Sequence, residues 1–334
     1  MLVLTDHRTH SAENSIYALA KALRAHPLCA RLDIASRGNP QNEAFFNANL
    51  PQALFASPVY SNFRYTAEGH CYKIRQRLVT LREYDIILMR LPHPVEQQFW
   101  QFIITIYPEK QIINQPTGIH QTGSKDFLLN FQELCPPMLL CQTINDIEDF
   151  KRQFPIVLKP LRNYGGKGVV KIANNEVWEG NSRTTFIKFA QALSQTPIEY
   201  LGMKFLPNVN QGDKRIVVCN KELLGASVRL PVLGSWLCNA AQGGHAVRAD
   251  ITEEETFIAQ KLNAVLHSKG IILYGFDTLV NDDGKRVLSE INTTSIGGLP
   301  QIAKLNGKPI VSQTADLLWN YVKNEVYGES PVVA

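Results

Sequence analysis

The strongest local folding signal in this sequence of 334 residues is an Asp-Gly pair at residues 283–284. It lies between two apolar, β-prone runs, 271–280 and 287–291. Such an arrangement is typical of a β-hairpin that is closed by a two-residue turn. That turn would place Asp277 directly opposite Glu290, because the strands on either side of it run antiparallel. We therefore predict a hairpin near the C-terminal end that brings two carboxylates together.

These carboxylates define a candidate metal site. Asn292 shares the face of Glu290, because side chains alternate between the two faces of a strand. Directly opposed side chains have Cβ atoms about 4.5–5.5 Å apart, and two carboxylates that close need a proton or a cation between them. Oxygen ligands suit a hard ion such as Mg²⁺. The alternative is that Asp277 and Glu290 are solvated strand residues in a slipped register, joined by a longer loop.

The composition is that of an ordinary globular protein. Hydrophobic residues make up 45% and charged residues 19% of the sequence, and the formal net charge is +4. These values indicate neither a nucleic-acid nor a membrane role. The six cysteines include no Cys-x-x-Cys pair, and the sequence has no signal region and no apolar run near the roughly 20 residues that span a bilayer. We expect a cytoplasmic protein that acts on small molecules.

Strand and helix signals alternate along residues 1–120, which favours a doubly wound α/β unit. Ser11 is a candidate N-cap for the first helix. The sequence lacks the Gly-x-Gly-x-x-Gly fingerprint of dinucleotide binding. The polar, proline-containing segment 38–66 is predicted to be a long loop.

A glycine-rich loop, residues 162–168, lies between two predicted strands. Glycines allow backbone N–H groups to approach phosphate oxygens, and Lys159 and Lys167 are candidates to add positive charge. The loop is not a Walker A loop, because Lys167 is followed by glycine and the next segment is β-prone. The sequence leaves two alternatives, a flexible flap that closes over a ligand and an ordinary hairpin turn.

Five motifs extend this pattern in a fixed order. They are a strand with a Lys-Pro pair at 154–160, a hinge at 203–207, the segment 212–215, an Arg-hydrophobic-Pro triplet at 229–231 and a Glu-x-Asn tail at 290–295. With these motifs the sequence resembles the ATP-grasp ligases, and among them the prokaryotic glutathione synthetase family, over residues 84–325. Each motif alone is weak evidence, but five in sequence order are strong.

The resemblance implies an α/β fold that becomes α+β in its C-terminal part. An ATP-grasp fold would follow a doubly wound, Rossmann-like N-terminal domain. The implied domains are 1–120 (Rossmann-like), 121–200 (central subdomain with the flap) and 201–334 (C-terminal subdomain with the Mg²⁺, ATP and substrate site).

The resemblance also implies roles for individual residues. The implied ATP contacts are Lys125, Lys159, Gly165, Gly166, Gly168, Lys204, Phe205, Leu206 and Asp213. The implied ligands of two Mg²⁺ ions, or of Mn²⁺ in their place, are Asp277, Glu290 and Asn292. Arg215 and Arg229 would contact the phosphate and the reacting carboxylate as catalytic residues. The implied peptide contacts are Asn239, Ser295, Gly297 and Gly298.

The activity implied by the resemblance is an ATP-dependent carboxylate–amine ligase that acts through an acyl phosphate. Its reaction would join γ-glutamylcysteine to glycine and release ADP and phosphate, in an enzyme that forms homo-oligomers. The alternatives are an ATP-grasp peptide ligase for a different carboxylate and amine, and a nucleotide-binding relative without catalysis.

Several of these residues have ordinary structural alternatives. Lys125 is equally compatible with a solvated surface position, and Arg215 and Arg229 with surface ion pairs. Phe205 is as compatible with a core position as with an adenine contact. The histidines 93, 120 and 245 show no metal-binding spacing and are interpreted as incidental.

The sequence departs from the glutathione synthetase family in three places. Residues 91–94 replace an acidic, proline-rich stretch. Ile296 and Gly297 stand where the family has proline and threonine, and His245 stands where arginine is usual. Two of these places are expected to touch the peptide or its acceptor, so they put the substrate in doubt more than the use of ATP.

Overall fold

Three β-sheets organise the protein, which a computed structural model describes over residues 1–231, 236 and 245–328. The strands of the first sheet are β1 (Leu2–Thr5), β2 (Asp33–Ser36), β3 (Leu54–Pro58), β4 (Arg77–Val79), β5 (Ile87–Arg90) and β6 (Ile112–Ile113). Their order is β4-β3-β2-β1-β5-β6. The four strands β2, β1, β5 and β6 pair in parallel, as the alternating pattern predicted. The helices in this region are α1 (Ser15–Ala25), α2 (Glu43–Phe46), α3 (Gln97–Ile106) and α4 (Pro116–Thr122).

Two local expectations for this region are wrong. Segment 38–66 is not a long loop, because it contains a 3₁₀ turn, α2 and β3. Burial of Phe45 and Phe46 and the hydrogen bonds of Asn42 to the backbone of Phe55 outweigh the local proline signals. The first helix is capped by Asn14, whose side chain accepts from the N–H of Ile16, and not by Ser11.

The second sheet is antiparallel and carries the glycine-rich loop. Its strands are β7 (Met138–Cys141), β8 (Ile156–Pro160), β9 (Val170–Ala173), β10 (Glu176–Glu179), β11 (Ser182–Thr185) and β12 (Tyr200–Lys204), in the order β11-β10-β9-β8-β12-β7. A 3₁₀ segment, Lys125–Leu134, precedes this sheet, and α5 (Ile144–Lys151) and α6 (Phe186–Leu193) pack on it. The loop that was predicted between two strands connects β8 and β9, which pair with each other.

The third sheet contains the predicted hairpin. Its strands are β13 (Asp213–Cys219), β14 (Glu222–Leu230), β15 (His245–Ala249), β16 (Leu273–Val280) and β17 (Arg286–Asn292), in the order β15-β14-β13-β16-β17. The helices α7 (Glu253–Ser268), α8 (Leu299–Asn306) and α9 (Ile310–Tyr321) belong to this part of the chain, and a π-helical turn, Val322–Val326, follows α9. The first and third sheets lie within the predicted domains 1–120 and 201–334, whereas the second sheet extends past the predicted boundary at residue 200, because β12 ends at Lys204. The domain boundaries stay predictions. No helix of the described residues has the length and apolarity that crossing a bilayer requires.

The hairpin confirms the pairing of Asp277 with Glu290, but the predicted two-residue turn is wrong. Val280 pairs with Arg286, and the N–H of Asn281 donates to the carbonyl of Lys285, so the loop is one residue longer. A bulge next to Asp277 then shifts the register back by one residue. The two one-residue shifts cancel, because a bulge adds an unpaired residue to one strand.

The first and third sheets share continuous cores. Two clusters of buried apolar side chains each combine residues of both sheets. Asn114, which follows β6, joins the sheets at the backbone level: its amide donates to the carbonyls of Leu273 and Thr293 at 2.7 Å and accepts from the N–H groups of Ile272 and Leu273 at 2.8 and 2.9 Å. The N-terminal sheet therefore fixes the position of the strand that carries Asp277.

Replacing Asn114 with alanine would leave these buried backbone groups of the third sheet without partners. We expect the free energy of unfolding to fall by about 3 kcal/mol, because each buried unsatisfied group costs about 1–3 kcal/mol. Urea unfolding would measure the change. Asn130→Ala is the matched control, because the side chain of Asn130 is exposed and its amide donates to the carbonyl of the nearby Phe127. A change below about 0.5 kcal/mol is expected there. Equal stability of the two variants would contradict the joining role of Asn114.

Candidate functional site

A cavity between the second and third sheets collects many of the predicted ATP contacts. It contains about 870 Å³ of space free of protein atoms, part of it open to solvent. The predicted residues that line it are Lys125, Lys159, Gly165, Gly166, Lys204, Phe205, Leu206, Asp213 and Glu290. These residues come from the glycine loop and from strands of both sheets, so the fold brings distant segments of the chain to one place.

The glycine loop covers one end of the cavity. Gly165, Gly166 and Gly168 have φ angles of +69°, +77° and +69°, a left-handed conformation that favours glycine. A side chain at Gly168 would lie 3.1 Å from Pro160, whereas Gly165 faces open space. Left-handed glycines occur both in a flap and in an ordinary hairpin turn, so both alternatives that the sequence left open stay compatible with this backbone. We refer to residues 162–168 as the flap because Gly165 and Gly166 line the cavity.

Two lysines lie beneath this flap. The ammonium of Lys159 donates to the carbonyl of Ser289 at 2.9 Å. Lys125 is buried and not solvated; its ammonium donates to the carbonyl of Asn163 in the flap and lies 3.8 Å from Glu290 Oε1. Burial lowers the pKa of Lys125, although Glu290 acts in the opposite direction. Both lysines thus line a cavity that can receive an anion.

The other end of the cavity is mostly apolar. Its walls include Val157, Met203, Leu206, Leu279 and Trp236. The rings of Phe205 and Trp236 lie 6.4 Å apart, edge to face, which places Phe205 at the cavity and not only in the core. This end has the size and character that a flat aromatic base requires.

Two backbone N–H groups beside this apolar end are already used in hydrogen bonds within the protein. The N–H groups of Lys204 and Phe205 donate to the carbonyls of Pro137 and Pro155, each at 2.8 Å. The predicted adenine edge would therefore meet the remaining polar groups of the segment 204–206.

A buried ion network lies on the third sheet beside the cavity. Asp277 is 1% exposed and accepts from both Arg215 and Arg229, with Arg215 Nη2 at 2.7 Å and Arg229 Nη2 at 2.9 Å. Arg229 also binds Asp213. Burial alone would raise the pKa of Asp277, but the two guanidinium groups outweigh it and lower the pKa to about 2. Burial and the charge of Asp277 raise the pKa of Asp213.

The strand register explains this network. Asp213 pairs with Arg229, Arg215 with Asp277, and Asp277 with Glu290, so adjacent strands place these side chains side by side. The arginines are therefore not in surface ion pairs. Four basic groups (Lys125, Lys159, Arg215 and Arg229) lie near three acidic ones (Asp213, Asp277 and Glu290).

Lys214 anchors β13 from the face opposite to Asp213 and Arg215. Its ammonium lies 2.8 Å from Glu255 on α7 and donates to the carbonyl of Asp250 at 2.9 Å. Glu255 is fully buried, and it also accepts from Thr278 at 2.7 Å and from the N–H of Thr252 at 2.9 Å. This satisfied ion pair holds β13 and β16 against α7. It therefore also fixes Asp213 and Arg215, the two neighbours of Lys214 in the chain.

The metal prediction has partial support from the donor set. Among residues 1–231, 236 and 245–328, no three His, Cys, Asp or Glu side chains are grouped as a metal site. Mg²⁺, however, is usually held by one or two carboxylates together with water and substrate phosphates. Glu290 lines the cavity, and Asn292 lies two residues further along β17, on the same face. The buried amide nitrogen of Asn292 has no hydrogen-bond partner in the described part of the chain, but this nitrogen is a donor, so only the amide oxygen would ligate a cation. The assignment of Asp277, Glu290 and Asn292 as metal ligands stays a prediction.

Asp213 Oδ1 and Arg229 Nε are likewise buried and without a partner among the described residues. A buried polar atom without a partner costs free energy. These two atoms and the amide nitrogen of Asn292 are buried, so in this conformation they are not open to a ligand in the cavity.

Other predicted residues do not line this cavity. Gly168 lies in the flap but faces Pro160 and Asn163. Ser295, Gly297 and Gly298 lie in the turn before α8. This turn contacts the N-terminal sheet, because Arg90 Nη2 donates to the carbonyl of Ile296 at 2.5 Å. Asn239 lies outside the described residues. The peptide-binding role of these four residues stays a prediction.

Several cavity residues were not predicted. Val157 and Met203 could have been found from strand alternation, because Val157 lies two residues from Lys159 and Met203 two residues from Phe205. Leu279 follows Asp277 at the same spacing. Asn163 lies in the glycine-rich loop that the sequence singled out, although it was not predicted as a contact. No sequence signal pointed to Trp236 or Ser289, which reach the cavity through the tertiary fold.

Comparisons with known proteins agree with this geometry. The family model for the ATP-grasp domain of prokaryotic glutathione synthetase matches residues 124–307, more than half of the chain. Glutathione synthetase of Bradyrhizobium diazoefficiens is 28% identical over 242 residues, which cover 71% of this chain and 74% of that protein.

Two solved structures share the fold. D-cycloserine synthetase DcsG has a TM-score of 0.62 at 13% identity, covering 94% of this chain and 98% of its own. An ATP-grasp RimK domain protein of Sphaerobacter thermophilus has a TM-score of 0.56 at 15% identity, covering 95% and 99%. These similarities confirm the predicted ATP-grasp fold.

Removing Glu255 tests the anchor of the site. Glu255→Ala would leave the ammonium of Lys214 buried without a counter-charge, and we expect it to lower the free energy of unfolding by about 3–5 kcal/mol. Glu253→Ala is the matched control on the exposed face of the same helix end, where about 0.3–1 kcal/mol is expected. Urea unfolding of both variants would measure the difference. A similar loss in both would show that the Lys214–Glu255 pair does not anchor the sheet.

Proposed function

The chain belongs to the prokaryotic glutathione synthetase family of ATP-grasp ligases, and we propose that it joins γ-glutamylcysteine to glycine at the expense of ATP. The observation that supports this most is the cavity in which Lys125 and Lys159 lie beneath the flap and Glu290 faces them. Such a site combines positive charge for a triphosphate with carboxylate and amide groups for a divalent ion. The family relationship supplies the reaction class, a ligase that forms a peptide C–N bond.

The proposed reaction has two steps. A carboxylate oxygen of the acyl donor attacks the γ-phosphorus of ATP, ADP leaves, and an acyl phosphate forms. The amine of the acceptor then attacks the acyl carbon, phosphate leaves, and the amine loses a proton. Phosphoryl transfer of this kind depends mainly on positioning and charge neutralisation.

The lysines and the flap would hold the nucleotide in this scheme. Lys159 and Lys125 would contact the phosphates, and the flap with Gly165 and Gly166 would cover them and exclude water. The apolar end with Leu206 and Trp236 would take the adenine, and Asp213 would lie near the ribose. Exclusion of water matters here, because an acyl phosphate hydrolyses readily.

Asp277, Glu290 and Asn292 would hold two Mg²⁺ ions. Bound Mg²⁺ would neutralise charge on the phosphates during transfer. Both oxygens of Asp277 already accept from arginines, but an ionised carboxylate has lone pairs for further partners. Glu290 and Asn292 are therefore the more accessible ligands.

Arg215 and Arg229 would neutralise the transferring phosphate and the reacting carboxylate. Their contacts with Asp277 fix the orientation of both guanidinium groups before substrate binds. The Arg229 side chain is 16% exposed, so part of its guanidinium would be open to an anionic ligand.

The direct test is ADP release by the purified protein with ATP, Mg²⁺ and a panel of carboxylates and amines. The proposal expects the fastest turnover with γ-glutamylcysteine and glycine and formation of glutathione. Turnover with another pair only would redirect the proposal to the alternative peptide ligase. The departure at residues 296–297 lies in the turn to which the resemblance assigns peptide contacts, so a change of substrate would be expected there.

Glu290→Gln tests the metal ligand. Because the change removes one negative charge without changing the shape of the side chain, we expect the Mg²⁺ concentration for half-maximal activity to rise by about 10- to 100-fold. Asp283→Asn, in the exposed turn of the same hairpin, should leave that concentration unchanged. A Mg²⁺ titration of ADP release would compare the variants. An unchanged requirement in Glu290→Gln would remove Glu290 from the metal site.

Lys159→Met tests the phosphate contact. Loss of a hydrogen bond to a charged group is worth about 1.5–3 kcal/mol, so we expect the KM for ATP to rise about 10- to 100-fold. Lys167→Met is the control, because Lys167 is exposed in the flap and does not line the cavity. Its KM should change less than about twofold. Equal effects of both variants would argue against a specific role of Lys159.

A further inference from the structure

The flap contacts the N-terminal part of the molecule through one aromatic pair. His93, in the segment 91–94 that departs from the family, stacks on Tyr164 of the flap with ring centroids 4.2 Å apart and an interplanar angle of 2°. Tyr164 directly precedes the flap glycines. The pair therefore joins the segment after β5 to the loop that covers the cavity.

Tyr164 makes two further contacts at the phosphate end of the cavity. Its hydroxyl donates to the carbonyl of Gly123, which follows α4. The ammonium of Lys125 lies 4.8 Å from the centre of its ring, within the range of a cation–π contact. The neighbouring Asn163 accepts from the same ammonium through its carbonyl. The position of Tyr164 and the position of Lys125 thus depend on each other.

Arg37 holds the backbone on either side of His93. Arg37 donates from Nη1 to the carbonyl of Pro94 at 2.7 Å and from Nη2 to the carbonyl of Pro92 at 3.0 Å. Asp6, at the end of β1, accepts from Arg37 Nε at 2.8 Å. The buried carboxylate of Asp6 therefore orients Arg37, and Arg37 fixes the backbone on both sides of His93.

Beyond the hydrogen bonds of Tyr164 to Gly123 and of Lys125 to Asn163, the glycines of the flap contribute no side chains that would hold it in place. Three of its residues are glycines in left-handed conformations, and a side chain at Gly165 would find no atom within 4 Å. Burial lowers the pKa of His93 to about 4, with Lys125, Arg37 and Arg162 acting in the same direction. The imidazole is therefore neutral near pH 7 and stacks as an uncharged ring.

We propose that His93 and Tyr164 are positioning residues whose stacked rings hold the flap closed and place Lys125 at the phosphate end of the cavity. The role in nucleotide binding rests on the proposed function, whereas the fastening of the flap does not. An aromatic pair contributes about 0.5–1.5 kcal/mol beyond its buried area. Loss of the stack should therefore increase the open fraction of the flap about 2- to 10-fold.

Limited trypsin digestion measures flap opening without any substrate. Arg162 and Lys167 are exposed on either side of Tyr164, and mass spectrometry would identify cleavage after each. His93→Ala should be cut there about 2- to 10-fold faster than the unaltered protein, whereas His93→Phe, which keeps a flat ring, should be cut at nearly the original rate. His120→Ala is the matched control, because His120 is exposed on α4. An unchanged rate in His93→Ala would overturn the proposal.

A second pair of variants, at Tyr164, separates the contribution of the stacked ring from that of the hydroxyl. It also provides a test if the His93 variant is less stable. Tyr164→Leu removes the ring and Tyr164→Phe removes only the hydroxyl, so faster cleavage in the first and a smaller change in the second are expected. Equal thermal midpoints would show that the fold is intact. If His93→Ala lowers the thermal midpoint, the cleavage rates of Tyr164→Leu and Tyr164→Phe are used instead. Equal cleavage rates of Tyr164→Leu and the unaltered protein would then overturn the proposal.

The effect on the phosphate site is read from the KM for ATP. His93→Ala should raise that KM by a similar factor with a smaller change in kcat, and His93→Phe should restore it. Faster cleavage with an unchanged KM would overturn the placement of Lys125. Faster cleavage in a protein that makes no glutathione would support the fastening of the flap while the proposed function fails.

Discussion

Asp277 is the residue on which the site depends. Its buried carboxylate accepts from Arg215 and Arg229, which come from the two strands that precede it in the sheet order. Burying an isolated charge is costly, and only partners of this kind make it tolerable. The pairing ties together β14, β13 and β16, and through the neighbouring position of Glu290 it reaches β17. The charged residues of the site are therefore fixed to one another before any ligand binds.

The surrounding fold holds this network from three directions. Asn114 attaches the strand of Asp277 to the N-terminal sheet by buried hydrogen bonds. The pair of Lys214 and Glu255 secures β13 to α7 from the opposite face. The second sheet supplies the flap and Lys159 across the cavity. A rigid charged floor and a glycine-rich cover suit a reaction whose intermediate must be kept from water.

Local patterns predicted much of this architecture and little of its long-range detail. Strand periodicity and the Asp-Gly signal predicted the hairpin, but the pairing of Asp277 with Glu290 came out right because the bulge offset the error in the predicted turn. Neither the longer turn nor the bulge has a local signature. The Lys-Pro strand and its glycines predicted the flap, and the ordered motifs predicted the fold. The partners of Lys214 and the contacts of Tyr164 could not be predicted, because they depend on segments about 40 to 70 residues away. Segment 38–66 failed for a similar reason, since burial of Phe45 and Phe46 decided its structure.

In the proposed site, a nucleotide triphosphate lies between the lysines beneath the flap, Lys125 and Lys159, and the C-terminal hairpin. A crystal structure with a non-hydrolysable ATP analogue and Mg²⁺ would test it most directly. We expect the phosphates beside Lys125 and Lys159, a divalent ion in contact with Glu290 and Asn292, and the base near Leu206 and Trp236. A nucleotide bound elsewhere, with Glu290 remote from its phosphates, would contradict the account.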